Sequence, residues 1–154
     1  MAEEKRANLK AQKFEKYTQE HNLNFFRKVE MKNDKGERDP AETTVFQSNI
    51  QVEGQTLPVG IITDNTIYTI IRVQVGNALL KEANKSKFLE HLNMLNRSYK
   101  VFKYVAAEDG SVFLDACLPS TNDSFDAEVV KVVLDVIVDH LSHEYKNIMK
   151  EAWN

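Results

Sequence analysis

The sequence predicts an α+β domain in which helices pack an antiparallel β-sheet, with elements in the order α-(β)-βββ-α-ββ-α. Three observations lead there. Val45–Val52, Leu57–Thr63 and Thr66–Val75 are rich in β-branched residues and separated by short turn-forming pairs. Lys100–Ala107 and Ser111–Leu118 flank Asp109-Gly110, a second hairpin signal. The last segment, 124–153, has Lys131, Asp135, Asp139, His143 and Lys146 recurring every three or four positions, the period of a helix despite its many valines.

In chain order, residues 3–22 are highly charged, with Ala7, Phe14, Tyr17 and His21 near helical spacing and Leu9 off that stripe. They read as a loosely docked helical arm, 1–22, before a single domain over 23–154. Leu23, Phe25, Val29 and Met31 mostly alternate and permit a short strand, followed by the polar loop 33–40. In the meander, two-residue loops at Glu53-Gly54 and Asp64-Asn65 set the register. Phe46, Ser48, Ile50 and Val52 then share a face with Leu57, Val59, Ile61, Tyr68 and Ile70. The opposite face carries Gln47, Asn49 and Gln51 together with Ile62, Ile67, Ile71 and Val73. A slip of one residue exchanges these faces. Residues 85–97 form a helix on Phe88, Leu92 and Leu95, with Ser86 as N-cap. In the second hairpin, Val101, Val105, Val112, Leu114 and Leu118 fall on one face, and Phe102, Tyr104, Phe113, Asp115 and Cys117 on the other. The last helix, capped by Asp123 or Ser124, covers the sheet with Val130, Val133, Leu134, Ile137, Leu141, Tyr145 and Ile148. Val129, Val132 and Val136 widen its apolar arc beyond what one sheet face needs.

Composition narrows the function. The 154 residues carry a formal net charge of -3, and nine acids stand against one base between Ala106 and Glu144. A nucleic-acid binder needs a basic surface to displace counterions, so that class is not expected. Tyr99–Tyr104 interleaves aromatics with lysines, but in this acidic context it reads as a core strand with exposed lysines. One cysteine, Cys117, allows no intrachain disulfide, and neither a leader-like apolar stretch nor a membrane-length apolar run is present. These features predict a cytoplasmic protein with no membrane association.

No catalytic constellation stands out. His140 and His143 with Glu144 lack a third converging ligand and the zincin order, so a solvated helix face is expected and no metal. Cys117 reads as a small buried or half-buried residue. The five glycines are dispersed and build no phosphate-cradling loop, so no cofactor is expected. Asp115, alternating with Phe113 and Cys117, needs a partner that Lys103 or Arg72 can supply. A structural pair is the expectation there, and an enzyme site near Asp115 the alternative.

Three stretches carry a family resemblance: Val52–Pro58; Leu95–Tyr104 running on through Glu108-Asp109-Gly110 to Leu114–Pro119; and Phe125-Asp126 with His140-Leu141, Tyr145, Met149 and Trp153. Over roughly residues 40–153 the chain resembles the YbjN-type family of bacterial sensory transduction regulators. That resemblance implies a fold similar to type III secretion chaperones and no catalytic residues. The expectation is therefore a non-enzymatic protein-interaction module, a regulatory adaptor or chaperone-like holder, that pairs with a protein partner or itself as a homodimer. The expected surface is a second apolar face of Ile62, Ile67, Ile71, Val73, Phe102, Tyr104 and Phe113, joined by Val129, Val132 and Val136. Either the N-terminal arm or another chain covers it.

Overall fold

The computed structural model describes residues 7–153, so residues 3–6 of the expected first helix lie outside it. Three helices and six strands follow the expected order: α1 (Leu9–Glu20), β1 (Arg27–Glu30), β2 (Thr44–Val52), β3 (Gln55–Thr63), β4 (Tyr68–Gly76), α2 (Lys85–Ser98), β5 (Lys103–Ala106), β6 (Val112–Pro119) and α3 (Ala127–Trp153). The strands form one antiparallel sheet in the spatial order β1-β2-β3-β4-β6-β5. Its apolar side meets the helices in a single core that includes Phe46, Ile61, Ile71, Leu114, Phe88, Ile137 and Leu141. α3 buries the expected stripe, with Tyr145 half-buried, and leaves Val129, Val132 and Val136 exposed.

The N-terminal helix is part of this core. Phe14 is 1% exposed and meets Phe46 and Phe26 edge-on, with centroids 4.8 and 5.4 Å apart. Asn8 caps α1 by accepting from the Ala11 N–H, and its amide donates to Glu42 O and Thr63 Oγ1. The Lys10 ammonium is fully buried and donates to Tyr68 O at 2.5 Å and Thr69 Oγ1 at 3.2 Å, with Asp64 at 3.8 Å. Burial lowers its pKa, and Asp64 works against that shift. A charged arm thus docks through one aromatic and two anchored polar side chains, Asn8 and Lys10, which an apolar-stripe reading undervalues.

Two hairpins differ from expectation, and both differences exchange faces. The β2–β3 turn is the two-residue Glu53-Gly54 loop, both residues at positive φ, and Phe46 faces Ile61 as expected. Between β3 and β4, however, Thr63 pairs with Thr69, so five residues, 64–68, separate the paired positions, the last of them opening β4. The loop's polar side chains satisfy its own backbone: Asp64 Oδ1 accepts from Thr66 N, and Thr66 Oγ1 from Tyr68 N. Asn65 N and Nδ2 donate to Ala41 O and Pro40 O. Such Asx-type bonding lets the loop outgrow the tight turn. The partner of Ile61 becomes Ile71 instead of Tyr68, an odd displacement, so Ile71 and Val73 lie in the core and Ile70 on the opposite face.

At the second hairpin the loop has three residues, Glu108-Asp109-Gly110, closed by Ala107 N–H donating to Ser111 O, with Gly110 at φ +87°. The left-handed glycine adds one residue to the turn. Tyr104 therefore faces Leu114, so Phe102 and Tyr104 join the buried side while Val105 pairs with Phe113 on the other. The caps also shift. Asn84 precedes α2 in place of Ser86, and Asp126, not Asp123 or Ser124, accepts from the Glu128 N–H at the start of α3. Asn84 is buried and donates to both Leu79 O and Ala152 O at 2.8 Å, tying the α2 entry to the end of α3.

Candidate interaction face

All three helices lie on one side of the sheet, so the other side is open. The strand registers arrange it in rows across the sheet. One row runs Val29, Val45, Ile62, Ile70, Cys117. The next runs Arg27, Gln47, Gly60, Arg72, Asp115, Lys103. Beyond it lie Asn49, Pro58, Gln74, Phe113 and Val105. Val45, Ile62, Ile70 and Phe113 are half-buried by their neighbours, and Val105 is exposed. Antiparallel sheets commonly leave one face to water, but that face is then mostly polar. Here the apolar row from Val29 to Cys117 lies on one side of the polar row, and Phe113 and Val105 lie on the other, beside Asn49, Pro58 and Gln74.

A groove of about 650 Å³ crosses this face between Phe25 and Arg27 at one end and Arg72 and Phe113 at the other, with Gly60 in its floor. A Cβ on Gly60 meets Val45 Cγ1 at 3.2 Å, so a side chain there crowds the floor. Arg72 grips Asp115 bidentately, Nε to Oδ1 at 2.9 Å and Nη2 to Oδ2 at 2.8 Å, and lies 5.1 Å over the Phe113 ring. The hydrogen bonds to Asp115 raise the Arg72 pKa above its ordinary value. Asp115 is therefore an anchored counter-ion, with Arg72 the partner in place of Lys103. Lys103 instead donates to Asn96 O and Tyr99 O at the end of α2, 2.6 Å each. Arg27 Nη2 donates to Gln47 Oε1 at 2.6 Å.

The expected surface residues therefore divide. Ile62 and Phe113 share the open face, whereas Ile71, Val73, Phe102 and Tyr104 are 0–5% exposed in the core. Ile67 is exposed, but in the loop just before β4. Val129, Val132 and Val136 form a separate exposed stripe on α3. Val45, Ile70 and Val105 were missed, and the corrected registers supply the latter two. Cys117 is exposed on the open face, not buried, because β6 alternates it with the core residue Ala116.

The histidines separate likewise. His140 is buried and its Nε2 lies 2.7 Å from the Tyr104 hydroxyl, between Tyr99 and Phe102. Burial pushes the Tyr104 pKa up, so the phenol keeps its proton in this contact. His143 is exposed, with Nδ1 on Asp139 O at 2.8 Å. Among the described residues, no group of three His, Cys, Asp or Glu side chains comes together to hold a metal. No helix among them is long and apolar enough to cross a membrane.

His140 carries a pH prediction. Burial lowers its pKa below 6.5, against the raising effects of Glu144 and Asp139 and alongside the lowering effect of His143. Below the ordinary histidine value the unfolded chain binds a proton that folded His140 resists, so His140 makes stability fall as pH drops through that range. His143, whose pKa is raised chiefly by its bond to Asp139 O, contributes in the opposite sense. Urea midpoints measured between about pH 7 and pH 5 are expected to fall more for the native chain than for His140→Gln. Equal slopes would remove His140 from the account.

Neither a protein-family model nor a curated protein matches this chain.

Proposed function

We propose that the protein is a non-enzymatic protein-interaction module, a regulatory adaptor or chaperone-like holder, working in the cytoplasm as a homodimer. The observation that carries this reading is the open sheet face, where Val45, Ile62, Ile70, Phe113 and Val105 lie on the side away from all three helices. Apolar side chains grouped on an open face in this way often mark a contact site. The resemblance to YbjN-type regulators and the type III secretion chaperone-like order of elements point the same way. An acid–base role at Asp115 has less support, because its carboxylate is committed to Arg72.

The test is recovery of the tagged full chain from its host under mild conditions, with bound proteins, the untagged chain among them, identified by mass spectrometry. The native protein is expected to bring down a protein partner that Ile62→Lys with Phe113→Lys loses and Val132→Lys, on α3, retains. Circular dichroism confirms that each variant is folded. A chain recovered alone, or an unchanged set of partners with the sheet variant, overturns the reading.

A further inference from the structure

We infer that the open sheet face holds an extended segment of a partner protein, with two acidic side chains four residues apart and an apolar one midway between them. The inference rests on the interaction reading above and adds the chemistry of the segment that is held.

Charge selects the class of occupant. The polar row of the face carries Arg27, Arg72 and Lys103 against Asp115 alone, on a chain whose formal net charge is -3. Arg72 takes that one carboxylate. Among the described residues Arg27 pairs with no carboxylate, and its partner is the neutral amide of Gln47. Lys103 donates to backbone carbonyls and has no counter-ion there either. A cationic row on an otherwise acidic molecule favours an anionic occupant. Nucleic acid fits less well, because its affinity grows with the number of phosphates neutralised. Cations set among Val45, Ile62, Ile70 and Phe113 neutralise few phosphates and leave those apolar groups without a match.

Spacing selects the shape. Arg27 and Arg72 stand at the two ends of the groove, on strands three places apart, which is about 14 Å at about 4.8 Å per strand. In an extended chain the side chains on one side recur every second residue, and at about 3.4 Å per residue positions i and i+4 are also about 14 Å apart. An acidic pair at that spacing reaches both guanidinium groups at once. Asp115 takes Arg72 Nε and one hydrogen on Nη2, so the Nη1 donors are left for a second carboxylate. Residue i+2 falls near Gly60, where the missing side chain lowers the floor between Val45 and Ile62 on one side and Pro58 on the other. An apolar side chain fits there. Gln47 and Asn49 are exposed beside it, and the Gln47 Nε2 and the Asn49 amide, neither hydrogen-bonded among the described residues, suit the segment's peptide groups. A helix matches less closely, since its same-side positions i+7 and i+11 lie about 10.5 and 16.5 Å along the axis.

The experiment selects random peptides of about twelve residues, displayed on phage, on the immobilised full chain. Enriched sequences are expected to carry Asp or Glu at i and i+4 and an apolar residue at i+2. A synthetic copy of the enriched peptide is then titrated by fluorescence anisotropy. It is expected to bind Arg27→Glu about tenfold or more weakly, and Arg27→Lys and Val132→Lys nearly as tightly as the native chain. Exchanging one of its two acids for lysine is expected to recover most of the loss in Arg27→Glu. Enriched peptides without the acidic pair, or a folded Arg27→Glu variant that binds like the native chain, overturn the inference. If such acid-free peptides are still lost with Ile62→Lys plus Phe113→Lys, the interaction reading stands. No enrichment overturns the inference, and together with a chain recovered alone from its host it overturns both. A doubled mass in sedimentation that the sheet variant returns to 17.7 kDa seats a second copy on the face. A single-stranded RNA oligonucleotide that binds there more tightly than the peptide seats nucleic acid. Either result overturns the acidic segment as occupant.

Discussion

Phe14→Ala is expected to destabilise the protein by about 3–5 kcal/mol, the usual cost of removing a buried phenylalanine. Phe14 is enclosed by Phe46, Phe26 and Tyr17, so truncation opens a cavity at the junction of α1, β1 and β2. A typical domain has about 5–15 kcal/mol in total, so a third or more of the stability is at stake. Urea unfolding of the full chain reads it as a lowered midpoint with little change in slope. Phe25→Ala is the control: Phe25 is 54% exposed at the groove, and its loss is expected to cost under about 1 kcal/mol. If the two variants cost the same, α1 is a loose arm after all and free to cover something else.

Gly110→Ala is the second large effect, expected at about 3 kcal/mol. Gly110 sits at φ +87°, and a Cβ built there comes 2.5 Å from Leu80 O and 3.3 Å from Ala78 Cα, both backbone atoms that cannot swing aside. Its own carbonyl accepts from Leu79 N and Leu80 N, so the turn is clamped against the segment leading to α2. Gly54 has φ +75° but nothing within 4 Å of such a Cβ. Gly54→Asn is therefore expected to cost under about 1 kcal/mol, asparagine being among the residues that tolerate this region best. Thermal melts of the pair separate crowding from backbone conformation. Equal losses would mean that conformation alone matters.

Much of the architecture was legible because it rests on local signals. Glu53-Gly54 set its register correctly, since two residues suited to positive φ leave one economical turn. The polar repeat from Lys131 to Lys146 identified α3 against the pull of its valines. Face assignment failed where a turn had a competing length. Asp64-Asn65 looks like a two-residue loop until Thr66 and Tyr68 are seen to bond within it, and Asp109-Gly110 becomes three residues once Glu108 is drawn in. Each miscount reverses parity. Ile71, Val73, Phe102 and Tyr104 therefore moved inside, while Ile70 and Val105 moved out. Ile62, placed by the correctly read Glu53-Gly54 turn, and Phe113 stayed on the expected surface. The docking of α1 was hidden for another reason: Asn8, Lys10 and Lys28 hold it through polar contacts with residues 13 to 59 positions away, and no periodicity encodes those.

The side chain of Asn96 has a consequence for how the molecule behaves in a crowd. Its amide donates to Tyr104 O and accepts from Tyr104 N–H, supplying β5 with the two bonds a neighbouring strand would otherwise make. The terminal rung of the ladder is thus already occupied by the molecule itself. At the other margin, Arg27, Lys28 and Lys32 put charge along and just beyond the short strand β1, a common deterrent to edge pairing. A sheet sealed at one rim and charged at the other is a poor template for its own endless extension.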